Sequence, residues 1–168
     1  MKRLCLTLAL LALLMTSCDS EKGSKASNKS TLHVNFLTAP PTLDPRKTRD
    51  MTSSTAIFML FEGLTKSTPE SSHAPSLAER IEISDDQRIY TFYLREAKWS
   101  NGDLITSYDF EYTWKSMLSP TFPSPNANLL YSIKNAKEAK LGEVDIDRVG
   151  ILCPDSQTLV VELNNPVP

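Results

Sequence analysis

Side chains able to do covalent or metal chemistry are few in this 168-residue chain, and they are scattered. Two histidines, His33 and His73, and three cysteines, Cys5, Cys18 and Cys153, are all the soft ligands it has. A zinc centre needs three or four such ligands converging, at spacings these residues do not offer. No His-Glu-x-x-His, Gly-x-Ser-x-Gly or glycine-rich phosphate loop occurs, and the five glycines are dispersed. The acidic pair Asp85–Asp86 falls in turn-like sequence, where solvation is its ordinary role. No nucleophile stands with a base. These residues predict no catalytic group, no metal and no cofactor. The chain does not read as an enzyme.

What is concentrated is aromatic. "TFYLREAKWSNGDLITSYDFEYTWKSM", Thr91 to Met117, holds Phe92, Tyr93, Trp99, Tyr108, Phe110, Tyr112 and Trp114, more than half of the 6 Phe, 5 Tyr and 2 Trp in the chain. Such rings either stack on a ligand or fill a core, and periodicity decides between the two. Along a strand from Arg88 to Leu94, Tyr90, Phe92 and Leu94 point one way and Ile89, Thr91 and Tyr93 the other. "SNGD" after Trp99 is turn chemistry, since Gly102 takes positive φ cheaply. Thr106 and Asp109 form a capping-box variant that opens a helix. In that helix Phe110, Thr113, Trp114 and Met117 share a face, with Leu118 beside them, while Tyr108 and Tyr112 fall outside it. Burying a large apolar side chain is worth about 1.5–3 kcal/mol, so these rings are expected inside a body and not around a solute.

The elements on either side follow from the same reasoning. "LHVNFLT" alternates Leu32, Val34 and Phe36 against His33 and Asn35, as a strand with one buried face would. "APPTLDP" stops it with three prolines. "SSTAIFMLFEGL" predicts a helix capped at Ser53, Ser54 or Thr55, buried through Ile57, Leu60, Phe61 and Leu64, and ended by Gly63. A short strand is expected near Ile81–Ile83. "ANLLYSIKNAKEAKLGE" predicts a second amphipathic helix through Leu129, Leu130, Ile133 and Ala136. "VGILC" and "TLVVEL" flank the four residues "PDSQ" as a hairpin. Cys153, in an apolar run, reads as a small buried hydrophobe.

The N-terminus has to be set apart from the fold. Lys2 and Arg3 precede an apolar run from Leu4 to Met15, about 18 Å as a helix and short of the roughly 30 Å bilayer core. That is the form of a secretory signal peptide, residues 1–17. Met15, Thr16, Ser17 and Cys18 resemble the lipobox of bacterial lipoproteins, with Met15 where leucine is usual, which implies lipidation at Cys18. Residues 18–30, polar throughout, read as a flexible tether. Without residues 1–17 the chain keeps 16 basic against 20 acidic residues. That balance offers no electrostatic reason to bind nucleic acid. The remainder is long enough for a core of its own.

"PPTLDP", "FEGL", "PSLAER", "YTFYLREAKWSNGDLITSYDFEYTW" and "DSQTLVVELNNPVP", in this order and spacing, resemble the start of the family 5 solute-binding proteins, the oligopeptide- and dipeptide-binding receptors of ABC importers. The resemblance implies an α+β (mixed α/β) fold of the periplasmic-binding-protein type II kind. Residues 31–61 would begin lobe one, and residues 62–168 would form an inserted α+β subdomain. Family members are several times longer. In them the segment after the "LDP" bend lines the cleft, which here implies Arg49, Asp50 and Met51 as ligand-facing. Arg49 stands where peptide-binding relatives can place a glutamate. Asn126, in "SPNAN", stands where relatives place an aromatic contact.

By the same resemblance the expected function is peptide transport. The chain would be the extracytoplasmic solute-binding component of an ABC importer, present as an N-terminal segment. It would be anchored by its lipid on the periplasmic side of the membrane, with a peptide ligand and the permease subunits as partners. The alternative is a non-transporting surface lipoprotein that keeps the subdomain as an interaction module.

Overall fold

Apolar side chains at alternate positions on three neighbouring strands build the core. The computed structural model describes residues 31–71 and 73–166. Strands β3 (Ala78–Ile83) and β4 (Ile89–Leu94) form a hairpin, and β5 (Ile151–Asp155) and β6 (Thr158–Glu162) form another. All four make one antiparallel sheet in the order β3-β4-β6-β5. Register sets Phe92 opposite Leu159, and Tyr90 and Ile151 opposite Val161 on either side, so these side chains share one face. Leu159 is fully buried there, with Ile151, Val161 and Leu163.

Helix α2 (Ser107–Leu118) covers that face. The expected capping box is present in its acidic half: Asp109 Oδ2 accepts from the Thr106 backbone N–H at 2.7 Å and from its hydroxyl at 3.0 Å. The helix start is also tied to the β5–β6 turn, because Ser107 donates through its N–H to Ser156 O and through its hydroxyl to Asp155 O. Phe110 and Trp114 pack edge to face against the core, with centroids 6.4 Å apart. Phe92 packs there too, stacked beside Tyr90. Tyr93, on the outer face, lies under the Arg80 guanidinium at 3.5 Å. Trp99, Tyr108 and Tyr112 are exposed. Three of the seven clustered rings are therefore core, one is half-buried on the other side of the sheet, and three face solvent.

Several expectations are corrected. Residues 31–36 form no strand, and Leu32 and Val34 are exposed, because a one-sided strand needs a neighbour to pair with. Helix α1 (Met51–Leu60) starts at least three residues early, with Asp50 as its N-cap in place of Ser53, Ser54 or Thr55: Asp50 Oδ1 accepts from Ser53 N–H at 2.8 Å. Its buried residues are Ser53 and Ala56, whereas Leu60 and Phe61 of the anticipated stripe are exposed. Gly63 does not cap it, since Phe61 is already extended. The second amphipathic helix is not continuous. A 3-10 turn over Ala127–Leu130 is separated from α3 (Ala136–Leu141) by Ile133, which bridges to Leu163, and by Asn135 at φ 59°. Leu129 is exposed in consequence. The last hairpin turns on Ser156–Gln157 alone, with Pro154 and Asp155 inside edge strand β5 beside a register shift.

A two-stranded ladder, β1 (Thr65–Lys66) with β2 (Ala74–Pro75), follows α1. Glu62 fastens its entrance, accepting from the Ser76 hydroxyl at 2.5 Å and from Arg95 Nη2 at 2.9 Å. Residues from Phe36 onward form one compact unit, with the bend before α1 included.

Candidate functional site

Prolines at 40, 41 and 45 leave the bend few backbone donors, so its side chains organise it. Asp44 is the centre. Its carboxylate takes a two-pronged hydrogen bond from Arg46, Nε to Oδ1 and Nη2 to Oδ2, both at 2.9 Å. The Arg46 N–H also donates to Oδ1 at 3.0 Å. Arg46 side-chain hydrogen bonding, more than its charge, holds the Asp44 carboxyl below the usual carboxylate range against partial burial. The same pairing raises Arg46. A planar guanidinium matched to a carboxylate in this way fixes direction as well as charge.

Arg46 then reaches across the sequence. Its Nη1 donates to Ser116 Oγ on α2 at 3.2 Å, and its guanidinium lies 4.8 Å from the centroid of the Phe122 ring. Ser124 Oγ donates to Arg46 O at 3.0 Å, and Asn126 Nδ2 donates to Thr48 O at 2.9 Å. Two hydrogen bonds thus join residues 46–48 to residues 124–126, each spanning 78 positions of sequence. Lys140 steadies the second loop by donating to Met117 O, Ser119 O and Phe122 O at 3.0, 2.9 and 2.6 Å. Burial pushes the Lys140 ammonium down in pKa.

The four residues expected at a ligand are consequently neighbours, with different freedom. Asn126 spends its amide on Thr48 O, immediately before Arg49. Asp50 spends one carboxylate oxygen on the α1 N-terminus, and the Ser53 N–H lowers its pKa. Arg49 and Met51 are exposed, Met51 at 81%. Charge and sulfur are thus presented by two side chains, while the other two hold the backbone that carries them. Sequence reasoning missed Arg46, Phe122 and Ser124. Only the spacing of Arg46 from Asp44 hints at the local pair, and nothing local points to a loop 78 residues away.

A shallow groove of about 750 Å³ adjoins this joint at Ser116, running along the outer side of α2 past Tyr108, Tyr112, Lys115 and Asp147. Lys115 is already paired there with Glu111 at 2.8 Å. Cys153 is half-buried beside α2, and burial raises its thiol. Among the described residues no three His, Cys, Asp or Glu side chains are placed to hold a metal ion. Cys18 lies outside the described residues.

The match to known proteins is extensive along this chain. A model of the bacterial extracellular solute-binding proteins, family 5 middle, matches residues 73–168. The chain is 40% identical over 154 residues to the oligopeptide-binding protein OppA of Bacillus subtilis, covering 91% of this chain and 28% of that protein. Among solved structures it is similar to Listeria monocytogenes OppA bound to peptide, with TM-score 0.74 and 34% identity over 77% of this chain and 26% of that one. It is equally similar, at TM-score 0.74 and 38% identity, to the substrate-binding domain of an oligopeptide ABC transporter from Bacillus anthracis str. Ames, covering 77% of this chain and 25% of that one. The chain spans little more than a quarter of these relatives, so the mixed α/β unit corresponds to part of their type II periplasmic-binding-protein fold. On its motifs, its fold and this match, the chain belongs to the bacterial extracellular solute-binding proteins, family 5.

Proposed function

We propose that the chain belongs to the peptide-capturing receptor of an ABC importer, supplying the bend and the small subdomain of the receptor's first lobe. Residues 31–61 are the start of that lobe and residues 62–168 the subdomain. It is not an enzyme. The observation that carries this reading is the joint between residues 46–48 and 124–126, which presents Arg49 and Met51 beside a firmly held backbone. In this reading Arg49 and Met51 meet the solute, and Asp50 and Asn126 set the path of the chain beneath it. Residues 1–17 direct export and Cys18 carries the lipid. The domain then stands on the periplasmic side of the membrane, where it delivers peptide to the permease subunits.

Peptide capture of this kind adds the ligand's main chain as a strand between two surfaces. Closure needs two bodies and a hinge. The 168-residue chain supplies one of the surfaces, so its affinity for peptide by itself is expected to be very weak. Calorimetric titration with a mixed pool of short peptides tests this. Saturation in the micromolar range by the chain alone would overturn it.

The alternative, an interaction module on a surface lipoprotein, has one observation in its favour. The buried cluster from Leu118 to Leu163 closes on itself, with no contribution from residues 31–61. Monodisperse, cooperative unfolding of the chain favours the module reading, and aggregation disfavours it.

A further inference from the structure

Three cations crowd the bend, and one of them is uncommitted. The run from Asp44 to Asp50, DPRKTRD, sets Arg46, Lys47 and Arg49 against two acids. The loop it is joined to, SPTFPSPN from Ser119 to Asn126, carries no charge. The joint is therefore a positive spot on a chain whose formal net charge is −2. Arg46 is taken up by the fork on Asp44 and by Ser116. Lys47 lies 3.9 Å from the same carboxylate and 5.4 Å from the centroid of the Phe122 ring. The Arg49 guanidinium is exposed and has no hydrogen bond or ion pair among the described residues.

Its acidic neighbour is turned elsewhere. Asp50 is extended, at φ −121° and ψ 158°, a conformation that sends successive side chains to opposite sides, and its carboxylate caps α1 through the Ser53 N–H. The backbone on either side of Arg49 is held, by Asn126 at Thr48 O and by that cap. An arginine fixed at its root and free at its head suits one ligand chemistry. A guanidinium offers a planar fork of N–H donors that a carboxylate accepts in pairs, and a neutral amide matches it in neither charge nor acceptor count. Met51, exposed alongside, adds an adaptable apolar contact. We propose that Arg49 is a specificity-determining residue, and that the chain favours peptides that bring a carboxylate, from an acidic side chain or from the C-terminus, to the position it faces. This preference rests on the peptide reading above and narrows the solute class.

The test follows the isotope-labelled 168-residue chain by NMR, which reads contacts too weak for calorimetry. It is titrated at fixed ionic strength, into the tens of millimolar, with N-acetyl-Ala-Glu-Ala-amide, with its Gln and Lys counterparts, and with N-acetyl-Ala-Gln-Ala as the free acid. The glutamate amide, the free acid or both should move the Arg49 Nε–Hε signal and the amides of Thr48–Asp50, with an apparent dissociation constant about threefold below that of the glutamine amide, the scale of an exposed ion pair. Which of the two has the advantage identifies the source of the carboxylate. Arg49→Gln should erase that advantage and keep the remaining shifts, and Arg49→Glu should pass it to the lysine peptide. Arg148→Gln removes an exposed cation outside the joint and should change nothing. If all the peptides act alike, or if Arg148 responds to a carboxylate as strongly as Arg49, the preference is overturned and the peptide reading stands. If no peptide moves residues 46–51 or 124–126, the peptide reading fails and the preference falls with it.

Discussion

Gly150 shows how narrowly one residue can be specified. A Cβ built there would lie 2.6 Å from Glu162 O and 2.9 Å from Lys134 Cβ, because the backbones cross at that point through Gly150 N–H to Lys134 O and Glu162 N–H to Gly150 O. Gly150→Ala is therefore expected to destabilise the chain by about 1–3 kcal/mol, the usual cost of overpacking. Urea unfolding measures it, and an unchanged midpoint would contradict the close approach. Asp44 makes a prediction about pH. Its folded pKa is lowered, first by the Arg46 side-chain hydrogen bond, so its stabilisation is complete above the unfolded value near pH 4 and is lost as pH falls through the lower folded value. Glu62 is lowered too, first by the Ser76 hydroxyl and then by Arg95, and acts in the same direction. Stability measured below pH 4 should fall less steeply in Asp44→Asn than in the parent. Superimposable acid limbs would show that the fork contributes nothing.

At the scale of elements, Lys140 links α3 to the end of α2. Replacing it with Met takes the shared donor from Met117 O, Ser119 O and Phe122 O, although Ser119 O keeps the Phe122 N–H and Phe122 O the Ser124 N–H. The lost charge-assisted hydrogen bonds should cost about 1–3 kcal/mol. Amide exchange should then quicken first around residues 119–126, ahead of the sheet. Equal acceleration everywhere would argue against a local clasp. Sequence patterns were informative for some elements and not for others, for identifiable reasons. The β3–β4 hairpin and α2 could be read directly because their signals are local: alternation through Tyr90, Phe92 and Leu94, the turn at Gly102 with φ 98°, and the Thr106–Asp109 cap. The break at Asn135 was hidden because Ile133 is claimed by Leu163, 30 positions on, and tertiary pairing overrides a helical pattern. Helix α1 misled for the opposite reason. Large apolar residues surround it, so periodicity could not say which side is inward. Of the candidate site, the positions of Arg49, Asp50, Met51 and Asn126 came from motif resemblance. That Asn126 holds backbone could not be read, since Thr48 lies 78 positions away, whereas Asp50 caps Ser53 only three residues on and was passed over for the hydroxyls that follow it.

For the molecule as a whole, the buried cluster lies in the sheet and in the helices packed on it, α2 and α3, with no residue from the bend or α1. Leu159, with no exposure, should cost about 2–5 kcal/mol as Leu159→Ala, whereas Leu129→Ala at 73% exposure should fall within about 0.5 kcal/mol of the parent. Thermal melts of the two variants decide this, and comparable losses would mean the core has been placed wrongly. Pro154 adds a consequence for how these molecules meet one another. It sits in the outermost strand of the sheet, beside a register shift, and has no N–H to offer a newcomer. Fibre-like stacking of one sheet onto the next is thus blunted on that flank. Only the opposite margin, where Glu79, Arg80 and Glu82 stand in solvent, is left to guard by charge. High salt, which screens those charges, should be the condition under which the chain first begins to polymerise.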